Sequence, residues 1–260
     1  MRVWTRIIGI AAIIFAVLLI FAPNGRFKKW TDGTRIAIEN VLRGNKHPVT
    51  SPYNKQHPLR VMAVGGSSAQ GYDDPQLDGY LARALRLVSS RLGFPITFVN
   101  KAHSGNTPTM YAPDYDPTIH QVRPDVVIIS WGLLNSISRK TPTNMFQRVI
   151  TSEVKMAVKY GAQVWVVTPP VTPATYVGHD VKLEQQFVNL EINGANAVHD
   201  QRVHVFNLLA SMKQYLAAHH LSYKPYESNN WHMNRAGHIL AGKILGEAIT
   251  KDASSLGLIS

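Results

Sequence analysis

Five short runs of apolar, β-prone residues recur along this chain with longer helical patterns between and after them, and that alternation leaves few folds open. The runs are "LRVMAVGG" (59–66), "ITFVNKA" (96–102), "VVIIS" (126–130), "QVWVVTPP" (163–170) and "VHVFNL" (203–208), and the helical patterns fall at about 80–92, 145–160, 183–199, 211–220 and 234–251. Strands separated by crossovers of this length cannot pair as tight hairpins, so they assemble as a parallel sheet with helices on both faces. The expected domain, 59–260, is a three-layer α/β/α sandwich on a parallel five-stranded sheet. In such a sheet functional groups collect beyond the carboxyl ends of the strands.

What precedes the domain is of another kind. An uninterrupted apolar run from Ile7 to Ala22 follows Arg2 and Arg6. It is slightly short for a full span of about 20 residues and slightly long for a signal core of about 7–15. A cut after Ala22 would have Ile20 at the minus-three place and Pro23 just beyond it, which is a poor cleavage site. Residues 1–30 are therefore read as an uncleaved signal anchor, a transmembrane helix that fixes the protein to the cell membrane. The flanking positive charges nearly balance across the run, so they do not orient it. A start this close to the N-terminus, as in exported proteins, places the large domain on the extracellular side. Residues 31–58 read as a basic juxtamembrane helix, about 30–44, and a polar, proline-bearing linker.

The net charge of +11 suggests nucleic acid until it is divided along the chain. Residues 1–58 hold 9 Lys/Arg against 2 Asp/Glu, a net of +7, whereas residues 59–260 hold 18 against 14, a net of +4. The excess sits beside the membrane, where anionic headgroups or an acidic wall polymer are better partners than DNA, and no nucleic-acid partner is expected. The chain has no cysteine, which excludes disulfides, thiolate metal sites and cysteine nucleophiles.

The strand ends then supply the chemistry. After the first run come Gly66, Ser67 and Ser68, after the second "HSGNT" with Gly105 and Asn106, and after the third "WGLLNS" with Gly132 and Asn135. Near the C-terminus "NNWHMNRAGH" places His232 just ahead of the last helix. A hydroxyl, an imidazole and neutral hydrogen-bond donors are the parts that acyl transfer requires. A phosphate-binding loop is excluded, because Tyr72 and Asp73 stand where Lys and Ser/Thr would follow Gly66 and Gly71. The adjacent His219 and His220 point in different directions on a helix and make a poor chelate, so no metal site is expected.

In order and placement these blocks resemble the SGNH (GDSL-type) hydrolases over roughly residues 59–250. "GGSSAQG" is similar to that family's Gly-Asp-Ser-x-x-x-Gly, with Gly65 leading, Ser67 as nucleophile and Gly71 closing, and with Ser68 as the neighbouring alternative. Gly105 matches the second block, and Asn229-x-x-His232 followed by "MNRAGH" matches the last. The resemblance implies a flavodoxin-like fold and a serine esterase that needs no cofactor. Ser67 would attack the ester and His232 would act as base, with an oxyanion hole from the Ser67 and Gly105 N–H groups and the Asn135 amide. Two departures stand out: Leu133 and Leu134 separate Gly132 from Asn135, and Asn229 replaces the aspartate that orients the histidine, with Glu227 as another candidate for that task. Expected substrates are ester-linked acyl groups of cell-envelope glycans or lipids. The alternative is a non-catalytic carbohydrate-binding or envelope-assembly module on the same fold.

Overall fold

The structure, a computed structural model, describes residues 50–74, 78–178 and 181–260. The signal anchor and the juxtamembrane helix expected near the N-terminus lie outside these residues. Among the described residues no helix is long and apolar enough to cross a membrane.

In chain order the elements are β1 (Leu59–Gly65), α1 (Ser67–Gln70), α2 (Tyr80–Leu92), β2 (Ile96–Asn100), α3 (Pro108–Val122), β3 (Val126–Ser130), α4 (Leu133–Ser138), α5 (Thr143–Lys159), β4 (Gln163–Val167), α6 (Pro173–Tyr176), α7 (Val181–Asn196), β5 (Val203–Phe206), α8 (Leu208–Ala218), a 3₁₀ turn (Lys224–Tyr226) and α9 (Arg235–Lys251). The five strands form one sheet in the order β2-β1-β3-β4-β5, and every pairing is parallel. This is the expected three-layer sandwich. Helices α2 and α9 pack closely on one face with α8 beside α9, while α3, α5 and α7 pack in series on the other.

The strand sequences explain their places. β3 is buried along its whole length, and every residue of β1 except Arg60 is buried, as apolar runs covered on both faces must be. The edge strands β2 and β5 are only partly covered. Several helix starts are fixed by side chains that accept an otherwise unpaired N–H of the first turn: Thr107 from Met110, Asn207 from Ala210 and Asn234 from Gly237. Asn207 thus begins α8 directly after β5, three residues earlier than the sequence pattern suggests.

Two features escape the sequence reading. Helix α3 forms despite Pro108, Pro113 and Pro117, the first of which occupies the opening turn, where no N–H is needed. The domain also begins before Leu59. Thr50 O accepts from Ser260 N at 2.9 Å, Ser51 Oγ donates to Leu258 O at 2.8 Å, and Tyr53 packs against Phe94 with ring centres 5.5 Å apart. The last residues of the expected linker therefore belong to the folded unit.

Beyond β3 the fold holds the next loop with buried acids. The indole N–H of Trp131 donates to Glu153 Oε2 of α5 at 2.8 Å, and its backbone N–H donates to Glu191 Oε1 of α7 at 3.4 Å. Burial pushes Glu153 up to about 8, against the opposing pull of the Trp131 bond, and holds Glu191 well above the ordinary carboxyl range. Glu153 therefore keeps its proton at neutral pH. A carboxyl raised in the folded state contributes stability that is complete below its unfolded value and is lost as pH rises through the folded one. Thermal unfolding should thus show stability falling between about pH 4.5 and 8 as Glu153 passes through its window, by about 1.4 kcal/mol per pH unit. Glu153→Gln, which retains an acceptor for Trp131, should flatten that dependence.

Candidate active site

The strand order places the carboxyl end of β1 between those of β2 and β3, at the point where connections leave in opposite directions. Gly65 closes β1 because nothing larger fits, since a Cβ there would lie 2.1 Å from Ser130 O on β3. Gly66 then turns the chain into the short α1, which Gly71 ends in the left-handed conformation at φ 96°. Ser67, its first residue, is 9% exposed, and its Oγ lies 2.9 Å from His232 Nε2. Among the described residues no hydrogen bond joins Ser68 to that ring, so of the two adjacent hydroxyls only Ser67 bonds the imidazole.

The loop after β2 is stitched to this turn. His103 N–H donates to Gly65 O at 3.0 Å, Ser104 N–H to Gln70 Oε1 at 2.8 Å, and Asn100 Nδ2 to Ala69 O at 3.0 Å. Gly105 sits on that loop at φ +78° with open space where a Cβ would project, so the backbone there accepts close approach. The third loop is held to the second, because Asn135 Nδ2 donates to Asn106 O at 3.2 Å. It is also held near the first, because a Cβ on Gly66 would lie 3.5 Å from Asn135 Nδ2. The two leucines between Gly132 and Asn135 thus do not remove the amide from the neighbourhood: Gly132 caps α4, and Asn135 projects from its first turn.

The C-terminal block is a clamp. Asn234 Oδ1 caps α9, while its Nδ2 donates to both Pro225 O and Glu227 O at 2.9 Å. The loop passes so close over the helix that a Cβ on Gly237 would lie 2.3 Å from Tyr226 O. His238, fully buried, has Nε2 2.9 Å from Tyr72 O. Since a carbonyl only accepts, Nε2 carries the proton, and burial pushes the ring's pKa down so that it stays neutral.

Within that clamp Asn229 holds His232. Its Oδ1 accepts from the backbone N–H of Trp231 at 2.9 Å and of His232 at 3.0 Å, and lies 3.1 Å from His232 Nδ1. Three donors converge on one oxygen, which assigns Nδ1–H to the ring and leaves the Nε2 lone pair facing Ser67. Glu227, the other candidate, pairs with Met233 through the backbone and makes no bond to His232. A residue that sequence reasoning missed stands behind Asn229: its Nδ2 donates to Asp73 Oδ2 at 2.9 Å, and the same oxygen lies 3.8 Å from His232 Nδ1. The contact joins positions 156 residues apart, and no spacing signals it. Burial lowers the His232 pKa, and the Asp73 charge opposes that fall.

A small space of about 20 Å³, partly open to solvent, adjoins Ser67, lined by residues that include Leu133, Leu134, Pro169, Pro170 and Trp231. The arrangement can deprotonate a serine hydroxyl and receive a small acyl group beside it.

A five-stranded 2-1-3-4-5 sheet with a serine and histidine paired at its switch point defines a hydrolase that works on acyl groups. The chain belongs to the GDSL-like Lipase/Acylhydrolase family, whose pattern it matches over residues 63–240, and it is a carboxylic ester hydrolase. Comparison with curated proteins gives no match. Solved structures share the fold. An α/β hydrolase, LAE5, from the metagenome of Lake Arreo is 15% identical with a TM-score of 0.61, over 78% of this chain and 97% of that one. The psychrotrophic esterase EstA from Pseudoalteromonas sp. is 17% identical with a TM-score of 0.58, over 75% and 99%. A catalytic mutant of the acetylxylan esterase Axe2 from Geobacillus stearothermophilus is 14% identical with a TM-score of 0.61, over 77% and 96%.

A serine-directed fluorophosphonate should label Ser67, and Ser67→Ala should abolish labelling where Ser68→Ala retains it, as peptide mass spectrometry would read. Asn135→Ala should lower kcat by about 10²- to 10³-fold with little change in KM, the loss expected for one oxyanion donor.

Proposed function

We propose that the protein is a membrane-anchored serine esterase that removes small acyl groups, acetyl above all, from glycans of the cell envelope. The observation that carries this reading is the 2.9 Å contact between Ser67 Oγ and His232 Nε2 beside a small space. In the proposed reaction Ser67 Oγ bonds to the ester carbonyl carbon as its proton passes to His232 Nε2. The charge on the carbonyl oxygen is received by the Ser67 and Gly105 N–H groups and the Asn135 amide. Collapse breaks the bond to the alcohol, which leaves with the proton from Nε2. Water then repeats the sequence on the acyl-serine and releases the carboxylic acid. Neither step needs a metal or cofactor.

The space beside Ser67, lined by Leu133, Leu134, Pro169 and Pro170, is small and suits a short acyl group such as acetyl. Tyr72 and Trp231, each 42% exposed, flank the histidine, and their flat faces suit the C–H face of a sugar ring. An acetylxylan esterase among the structural neighbours is consistent with a glycan acceptor. Residues 7–22 would tether the domain outside the membrane, close to such polymers.

On p-nitrophenyl esters, kcat/KM should fall by at least about tenfold from acetate to butyrate, because each added methylene must displace packed side chains. Rates that rise with chain length would overturn the acetyl assignment, and absence of hydrolysis with intact binding of acetylated glycan would favour the non-catalytic module. Cell fractionation should leave the full chain in the membrane pellet, and a mature form in the extracellular fluid that begins near residues 23–30 would refute the anchor.

A further inference from the structure

We infer that Asp73 is the positioning residue of this site: it supplies, through Asn229, the orientation and negative charge that an aspartate bonded directly to the histidine would otherwise provide. The inference rests on the esterase reading for its kinetic consequences, although its geometry stands without it.

An asparagine beside a catalytic histidine has a difficulty that an aspartate lacks. Its side chain is two-faced, and if the amide turned over, Nδ2 would oppose the Nδ1–H of His232 with a second donor. Here the two ends are told apart by their partners. Asp73 accepts from Nδ2 at 2.9 Å, and a carboxylate can only accept, so Oδ1 is directed to Trp231 N, His232 N and His232 Nδ1. The tautomer of the base therefore traces back to the carboxylate. The same Asp73 oxygen, 3.8 Å from Nδ1, is near enough to stabilise an imidazolium as it forms.

The protein holds this carboxylate in a conformation that few residues adopt. Asp73 has φ 64°, the left-handed region, where a residue with a side chain persists only if its surroundings fix it. They do so on both sides. Tyr72 O is bound by the buried His238, and Asp74, 2% exposed, pairs with Arg83 at 2.7 Å. Tyr72 also lies against the base, with ring centres 4.5 Å apart. The loop after β1 thus carries the nucleophile at one end and the carboxylate at the other, and α9 grips it between them.

The charged and titratable groups around His232 are few. The Tyr72 ring lies tilted against the imidazole, Glu184 lines the pocket from α7, and Glu227 is on the histidine's own loop. Among the described residues only Asp73 brings a carboxylate within 4.0 Å of the ring. Removing its charge leaves burial to act alone, so the pKa of the base falls further below its ordinary value.

The test uses the full chain in detergent with p-nitrophenyl acetate. Asp73→Asn is isosteric, and asparagine tolerates the left-handed region, so the variant should fold with an unchanged unfolding midpoint. Its kcat should fall by about 10- to 100-fold with KM little changed, less than the roughly 10⁴-fold loss on neutralising an aspartate bonded directly to the histidine in a serine protease. The acid limb of kcat/KM should move to lower pH. Asn229→Asp alone would put two carboxylates within hydrogen-bond distance, forcing one to hold a proton, and should move that limb upward. Asp73→Asn combined with Asn229→Asp restores one charge and one amide in exchanged places, and should return kcat to the wild-type level or above. Unchanged kcat and acid limb in Asp73→Asn, or a double variant no faster than Asp73→Asn, would sink the inference. NMR titration of the His232 ring needs no substrate: a midpoint lowered by Asp73→Asn in a chain that hydrolyses no ester would retain the positioning role and reject the esterase reading.

Discussion

The geometry of the site depends on the first turn of the last helix. Asn234 satisfies a helix N–H with one end of its side chain and two loop carbonyls with the other, and one turn later His238 binds the carbonyl of Tyr72. The buried His238 would lose about 1–3 kcal/mol if its bond to Tyr72 O were unmade, and the Asn234 bonds add a second tie, so the loops cannot drift from the helix cheaply. Because α9 is itself packed along α2, the Ser67 turn and the His232 loop share one rigid support. The Ser67–His232 contact is the product of that support, and neither loop would set it alone.

Much of the fold was legible because its signals are local or periodic. Central strands read as unbroken apolar runs, the intervening patterns had helical period, and serine, glycine and asparagine stood where strands stopped. Helix α3 was not legible, because prolines at 108, 113 and 117 are breaker signals one at a time, and only packing against α5 and the cap at Thr107 explains why a helix forms. The share of residues 50–58 in the domain was hidden for another reason: their partners, Leu258 and Ser260, are at the far end of the chain.

The site divides in the same way. Ser67, Gly105, Asn135, Asn229 and His232 could be read because each follows a strand or precedes a helix in a patterned block. Spacing alone allowed both members of the pairs Ser67 and Ser68, and Asn229 and Glu227; which of each bonds to His232 emerged only from geometry. Asp73 was invisible. In sequence it is one of two acids in a turn, and its meaning comes only from an asparagine that the fold brings to it. An apparent defect in the last block, a neutral residue where an acid belongs, is thus balanced in another segment, which moves the acid without removing it.

The wide separation of Ser67 and His232 also sets when the site can come into being. A chain made from its N-terminus presents the serine turn, with β1, long before residues 229–238 exist, and loop closure over so long a stretch comes late in assembly. Until α9 docks, the Ser67 hydroxyl has no imidazole beside it. On the proposed mechanism competence is therefore coupled to completion: nascent or truncated chains that lack the last helix would carry an inert serine, and acyl chemistry would begin only after the whole domain has closed.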